Sequence, residues 1–348
     1  MASQAKPTSG GALDRQARLP FVHGDDSEPP PVIVAYGAGV DSTALIIERH
    51  ARGERIDMVL RALMPEKQET LEHIETFERW MDAHDIQHTT VSYGPRSFKH
   101  WPPYYDLLEN CLTNGTLPSI AFGRHSCSLK WKVAPQDAWT KTWPPAQHAW
   151  ARGQKVIRLI GFDAGKRDSQ RYAHAEGYSS ELYEYQYPLR EWHWDREACK
   201  ARIRLEGLPV PVASSCFFCT GMKPDEVRAL PVEQLRLIVL LEARAAPRLR
   251  NCEGLWRSTT KGLRGSEARP GAMTTFIRNE ALLDPREIDR IIVEAPPDLI
   301  AFLEVAAKIP LTERPTLGSW LERFNTGAAV LADKPALDLG HAMAPITV

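Results

Sequence analysis

The chain has 348 residues, 43% hydrophobic and 25% charged, with 43 Lys and Arg against 44 Asp and Glu for a net charge of −1. Those proportions exclude collagen-like, wholly disordered and disulfide-scaffold classes, and the balanced charge leaves no overall positive field for a nucleic-acid backbone, so any such binding has to be local. No run approaches the roughly 18 apolar residues of a membrane span and the N-terminus lacks an apolar signal core, so a cytoplasmic protein is expected, in which the six cysteines serve as thiols, ligands or nucleophiles.

Residues 1–30, with Pro7, Gly10, Gly11, Pro29 and Pro30, read as a flexible arm. The apolar, β-branched run Val32-Ile33-Val34-Ala35-Tyr36 predicts a strand ending at Gly37, and 43–49 has helical character. Residues 58–60 then read as a strand, 68–84 as an amphipathic helix, and 89–93 and 156–160 as further strands. Strands alternating with helices predict an α/β fold over 31–222, a mostly parallel sheet with helices on both faces. After residue 222 the strand signals stop. Prolines open helical patterns at 224–244, 285–293 and 297–308, which predicts a helical C-terminal part over 223–330, followed by a tail at 331–348.

The first strand runs into Gly37-Ala38-Gly39-Val40-Asp41-Ser42-Thr43 and then a helix. Glycines there let backbone N–H groups approach phosphate oxygens, and the helix N-terminus adds partial positive charge. The turn is neither a Walker P-loop, since no Gly-Lys-Ser/Thr follows, nor a dinucleotide fingerprint, since the third glycine is missing. The plain structural alternative is a tight turn with Asp41 or Ser42 as N-cap.

Gly37-Ala38-Gly39-Val40-Asp41-Ser42 resembles the PP-loop signature Ser-Gly-Gly-x-Asp-Ser of ATP pyrophosphatases and of the phosphoadenosine phosphosulfate (PAPS) reductase-like superfamily, with Gly37 in place of the first Ser and Ala38 in place of a Gly. Glu69-Thr70 follows the second strand where the family opens a long helix. Cys127-Ser128-Leu129-Lys130-Trp131-Lys132-Val133-Ala134-Pro135 looks like the Cys-Cys-x-x-Arg-Lys-x-x-Pro segment of iron–sulfur sulfonucleotide reductases, matching at Cys127, Lys132 and Pro135, with Ser128 at the second Cys and Trp131 at the Arg. The stretch from Gly161 to Arg171 is similar to the family's glycine-led substrate loop. Tyr187-Pro188-Leu189, Cys199 and Ser215-Cys216-Phe217-Phe218-Cys219 look like its closing segment. The likeness spans 31–222.

This resemblance implies an adenine nucleotide alpha hydrolase-like fold. It implies ATP held by Gly37, Ala38, Gly39, Val40, Asp41, Ser42 and Thr43, with Glu69, Gly161 and Arg171 close to the nucleotide. Asp41 would lie at the phosphates and their Mg2+, a sensible hard oxygen ligand, and Lys132 would be the catalytic cation that offsets developing negative charge.

Cys216-x-x-Cys219 can bring two sulfurs to one metal, yet by itself it is equally a redox dithiol or half of a zinc or iron–sulfur site. With Cys127 and Cys199 it makes a candidate set of four thiolates. The resemblance favours a 4Fe–4S cluster, with Zn2+ as the alternative, and a three-thiolate cluster without Cys199 is also chemically reasonable. Cys111 and Cys252 match no motif and read as buried free thiols. The histidines show no ligand spacing.

Residues 241–270 carry seven basic side chains against three acidic ones, with Trp256 among them. Such a stretch can meet a phosphate backbone or a stacked base, or is a solvated face. Together these features predict a PP-loop ATP pyrophosphatase that adenylates a substrate for sulfur transfer, with DNA or RNA as acceptor and a partner such as a cysteine desulfurase as sulfur donor. The alternatives are a PAPS or adenosine phosphosulfate (APS) reductase releasing sulfite, which needs a mobile nucleophilic cysteine, and a non-catalytic component that binds nucleotide or nucleic acid.

Overall fold

A computed structural model describes residues 28–94, 104–118, 120–121, 124–125, 127–262, 267–310 and 312–332. In chain order its elements are β1 Val32–Tyr36, α1 Val40–Ala51, β2 Met58–Ala62, α2 Gln68–Ala83, β3 His88–Val91, α3 Leu107–Asn114, the short antiparallel pair β4 Ile120–Ala121 and β5 Arg124–His125, a π-helical turn Ser128–Val133 that continues into α4 Ala134–Thr140, α5 Pro144–Ala151, β6 Val156–Ile160, α6 Lys166–Ala175, β7 Tyr183–Gln186, α7 Pro188–Glu191 and α8 Arg196–Leu205. The helical C-terminal part follows as α9 Pro224–Arg228, α10 Val232–Ala245, α11 Met273–Asn279, α12 Pro285–Ala306 and α13 Leu317–Ala332. Most of the expected arm and tail, and the Arg264 side chain, lie outside the described residues, as does the side chain of Arg124.

β1, β2, β3, β6 and β7 form one all-parallel sheet in the order β3-β2-β1-β6-β7. Alternate side chains of β1 supply both faces, as the period of two requires. Val32, Val34 and Tyr36 pack with α1, Phe77 of α2 and Ile203 of α8, while Ile33 packs on the other side with Ala146, Trp139 and Trp143 of the α4–α5 layer. β7, Tyr-Glu-Tyr-Gln, was not among the expected strands, because an edge strand with alternating polar residues lacks the apolar run that marked the others.

The chain leaves β1 toward β2 on one side and, after β3, returns to build β6 and β7 on the other, so the order reverses between β1 and β6. Open α/β sheets have their crevice outside the carboxyl ends of the strands at such a switch point.

The C-terminal helices share a core with the 31–222 part rather than standing apart. Met64, Cys111, Trp131, Cys216 and Phe218 pack with Val227, Ile238 and Trp256. Three expected helices differ from those observed. The 224–244 pattern is interrupted at Pro231, which serves as N-cap of α10. The patterns at 285–293 and 297–308, by contrast, are one helix, α12, with Pro296 and Pro297 inside it. The carbonyls these prolines leave without an intrahelical donor belong to Ile292 and Val293, both exposed, so water can satisfy them and the cost of an interior proline is reduced.

Candidate active site

α1 starts immediately beyond β1, with Gly39 as an N-cap that has extended backbone and no side-chain hydrogen bond to the helix. The first-turn N–H groups are thus left to whatever approaches the crevice. The turn shapes itself with its own hydroxyl: the Gly37 N–H donates to Ser42 Oγ at 3.3 Å, and Ser42 Oγ donates to the Gly39 carbonyl at 3.3 Å. Thr43 donates its N–H to Gly39 O at 3.1 Å, and its hydroxyl is buried 3.1 Å from His73 Nε2. Burial pushes that imidazole down to about 4, so it stays neutral. The side chains of Ser42 and Thr43, expected to meet the nucleotide, therefore build the turn, and the turn's contribution to an anion is its backbone.

Ala38 is buried with φ +53°, in the left-handed region that glycine prefers. A Cβ on Gly37 would meet nothing within 4 Å, leaving open space beside the turn. On the opposite wall a Cβ on Gly161 would lie 2.9 Å from Ser42 N, so the end of β6 closes on the first turn of α1.

Three carboxylates converge here. One ligand oxygen each from Asp41, Asp163 and Asp168 lies within 4.8 Å of the others, the sole such group of three His, Cys, Asp or Glu found among the described residues. Asp163 and Asp168 are 5% and 4% exposed. Asp163 Oδ1 accepts the Gly165 N–H at 2.7 Å, and the Arg190 guanidinium holds the Asp163 carbonyl at 2.7 Å. Asp41 Oδ2 pairs with Arg196 at 2.9 Å, while its buried Oδ1 has no partner. Burial pushes the Asp41 carboxyl up to about 6; Arg196 opposes the rise, and Asp163 and Asp168 add to it. An unpaired carboxylate oxygen beside two further carboxylates is a hard donor set suited to Mg2+.

Arg171, expected at the nucleotide, is mostly exposed and reaches Asp168 at 3.3 Å. The arginine that meets Asp41 is Arg196, which the sequence reading missed; its only local sign is the position after Asp195, the N-cap of α8. Glu69 is exposed on the first turn of α2, whereas Glu66 and Lys67, just before it, are buried. Lys67 pairs with Glu226 at 3.0 Å. Burial raises the Glu66 carboxyl, and the Lys132 ammonium opposes this.

The crevice is continuous with the cysteine segment. A Cβ on Gly39 would lie 3.0 Å from Ser214 Oγ. Cys216 is two residues on, at most about 7 Å of extended chain away, and it bridges to Glu66 in antiparallel fashion, with the Phe217 N–H on the Pro65 carbonyl at 3.1 Å. Burial raises the Cys216 and Cys127 thiols; Cys219 adds to both, and Lys132 opposes the rise in both. Lys132 thus stands with the sulfurs, whereas Asp41 stands with the acidic group.

Cys199 departs from the expected four. It is fully buried on α8 in the core beneath α1, with Leu189 and Ile203, and the charges that act on it are those of Asp41, Asp163, Arg196 and Asp195. The N-cap at Asp195 starts α8 so that Cys199 falls on its inward face, away from the CxxC turn.

The basic stretch 241–270 also differs from its reading as a base-stacking surface. Trp256 is 4% exposed and donates its indole N–H to Met222 O at 2.9 Å, so no base can stack on it. Arg269 lies over the Trp256 ring and also bonds Met222 O, and Arg244 and Arg248 donate to the carbonyls of Thr113 and Asn114. Glu242 is buried and accepts the N–H groups of Leu255, Met273 and Thr274.

Fold and site together define a parallel α/β protein with an uncapped strand–turn–helix and a group of three carboxylates at its switch point. Comparison with protein-family models and with curated proteins gives no match. Among the described residues no helix is long and apolar enough to cross a membrane.

Proposed function

We propose that the chain is a PP-loop ATP pyrophosphatase of the PAPS reductase-like kind, with adenine nucleotide-hydrolase-like topology. The observation that carries this reading is the meeting, at one switch point, of the uncapped first turn of α1 with Asp41, Asp163 and Asp168. The first-turn N–H groups would hold the polyphosphate, and Asp41, Asp163 and Asp168 would hold a Mg2+ that offsets its charge. Arg196 keeps Asp41 oriented.

An acceptor oxygen then attacks the α-phosphorus, the bond to the β-phosphate oxygen breaks, and pyrophosphate leaves an adenylated acceptor. A sulfur nucleophile displaces AMP from it in a second step. Cys216, two residues from Ser214 at the turn, would with Cys127 and Cys219 hold an iron–sulfur centre, which when bound would supply a site for sulfide. Lys132 offsets negative charge at that end of the crevice. The acceptor is a nucleic acid in this reading, reached without stacking on Trp256.

Titrating the chain with Mg-ATP and assaying pyrophosphate release tests this. Gly39→Val and Asp163→Asn are each expected to weaken Mg-ATP binding at least tenfold; unchanged affinity in both would place the nucleotide elsewhere. Thioredoxin-dependent sulfite release from PAPS or APS, lost in Cys252→Ser, would put the reductase reading first.

A further inference from the structure

The parallel sheet ends at β7, and its outer edge is open. The Val156 N–H donates to the Leu182 carbonyl at 3.0 Å, and β6 pairs with β7 so that Val156 stands opposite Tyr183. In a parallel ladder alternate residues turn both main-chain groups toward the neighbouring strand, so Glu184 faces β6 while Tyr183 and Tyr185 present theirs outward. Ser180 Oγ takes the Tyr183 N–H at 3.2 Å. The Tyr183 carbonyl and both main-chain groups of Tyr185 have no partner among the described residues.

A cavity of about 400 Å3 lies along this edge. Tyr183, Glu184, Tyr185 and Gln186 all line it, and because successive side chains of a strand point to opposite faces, it follows the edge of the sheet rather than one face. Its walls are rings and carboxylates. Tyr178, 64% exposed, meets Tyr185 at 63° and 5.7 Å, and Tyr172 meets Tyr187 at 87° and 5.1 Å. Glu176, Glu184 and Glu191 line the same space against one cation, Lys155. Glu176 accepts the Tyr172 hydroxyl at 3.1 Å and Glu184 the Gln186 amide at 2.7 Å, while the Glu191 carboxylate has no partner among the described residues. Guanidinium groups already lie over two of the rings, Arg190 over Tyr172 at 4.3 Å and Arg158 over Tyr183 at 4.1 Å, but these are committed to the Asp163 carbonyl and to Asp137.

We propose that this edge docks an extended, basic peptide segment of a partner protein, which adds a strand to β7 and sets a Lys or Arg side chain among the tyrosines and glutamates of the cavity. The outward main-chain groups of Tyr183 and Tyr185 supply the strand pairing that an exposed edge offers. Ring faces and carboxylates together select a cation. The same carboxylates disfavour the other occupants of an open edge, since a second copy of this chain would bring the same glutamates and a nucleic-acid backbone would bring phosphates. This site is independent of the nucleotide reading, and its test uses no nucleotide.

The experiment titrates the full chain against a fluorescein-labelled peptide, Lys-Thr-Lys-Thr-Lys-Thr, with fluorescence anisotropy as the readout. Three comparison peptides carry Glu in place of Lys, or N-methyl groups on one or the other set of alternate amides. Spermidine is the competitor. The variants are Glu184→Lys with Glu191→Lys, Tyr185→Ala, which removes the ring, and Tyr185→Pro, which removes the ring and the outward N–H while sparing the bonds to β6; far-UV circular dichroism identifies the folded ones. Expected is binding of the Lys peptide by the wild type, weakened roughly fivefold or more by the double glutamate change and by one of the two N-methyl patterns, with Tyr185→Pro binding about threefold more weakly than Tyr185→Ala. No binding by the wild type, or equal binding of the Glu peptide, overturns the basic segment. Equal binding of both N-methyl peptides overturns strand addition, and a double glutamate variant that is folded and binds like the wild type removes the carboxylates from the site. Spermidine that binds as tightly as the peptide overturns the peptide in favour of a free polyamine.

Discussion

Ser42 offers its backbone nitrogen to Gly161 so closely that a Cβ there would lie 2.9 Å from it, with Ser42 Cα at 3.1 Å. The wall opposite the Gly37–Gly39 turn is therefore set by the lack of a side chain at the end of β6, and the crevice keeps its width through a contact between two backbones. Because neither backbone can rotate away, Gly161→Ala is expected to destabilise the fold by about 2 kcal/mol, in the range of overpacking, and to reduce Mg-ATP affinity. Denaturant unfolding beside nucleotide titration reads both; a variant with unchanged midpoint and affinity would show that the turn yields freely.

Ala38 holds a backbone conformation that costs a residue with a Cβ about 1 kcal/mol relative to glycine. Ala38→Gly removes that strain, while the looser unfolded chain takes part of the gain back. The expected net result is a stabilisation of about 0.5 kcal/mol, seen as a higher denaturant midpoint at unchanged slope. A lower midpoint would mean that packing of the buried Ala38 methyl outweighs its strain.

The raised Asp41 carboxyl predicts a pH window. In the folded chain it titrates at about 6, against about 3.9 when unfolded. Between those values the folded state keeps a proton that the unfolded state has lost, so the Asp41 contribution to stability falls as pH rises from about 4 to about 6 and stays low above. The melting temperature of the metal-free wild type should drop relative to Asp41→Asn across that interval. Mg2+ needs the ionised carboxylate, so it should stabilise the wild type more at pH 7.5 than at pH 5 and have little effect on Asp41→Asn. A magnesium effect independent of pH would remove Asp41 from the cation site.

Glu242 holds three backbone N–H groups, at 2.7 Å for Leu255, 2.9 Å for Met273 and 2.7 Å for Thr274. It thereby pins the loop after α10 to the start of α11. Glu242→Ala leaves these donors without their acceptor in a dry site and is expected to cost about 3 kcal/mol, with Glu242→Gln intermediate. Thermal melts rank the three proteins; equal stability for wild type and Glu242→Ala would show that water replaces the carboxylate.

β1, the glycine turn and α1 were legible because their signals are local. A β-branched run makes a strand, a Gly-rich step makes a turn, and the apolar face of the following residues makes a helix, each within a few neighbours. The same holds for Cys216 and Cys219, whose spacing alone predicts one tight turn. Lys132 as a cation and Asp41 as a hard oxygen ligand were likewise identifiable by residue type, but the sequence did not show that Asp41 stands with Asp163, Asp168 and Arg196 while Lys132 stands with Cys127 and Cys216.

Contacts between distant segments were decided by packing. Arg196 meets Asp41 across 155 residues because α8 returns over α1 after the sheet has reversed direction, and no period or spacing records that return. The same return buries Cys199 under α1. Trp256, which composition places in a basic surface, is instead drawn under Met222 by a carbonyl that needs a donor. Pro296 and Pro297 stay helical because solvent can reach the carbonyls they leave unpaired. Local chemistry thus determined which elements form and which residue types can carry charge or metal, while the close packing of helices on both faces of one parallel sheet decided which of those residues meet, since a side chain's partners across the chain depend on every element that brings the two together.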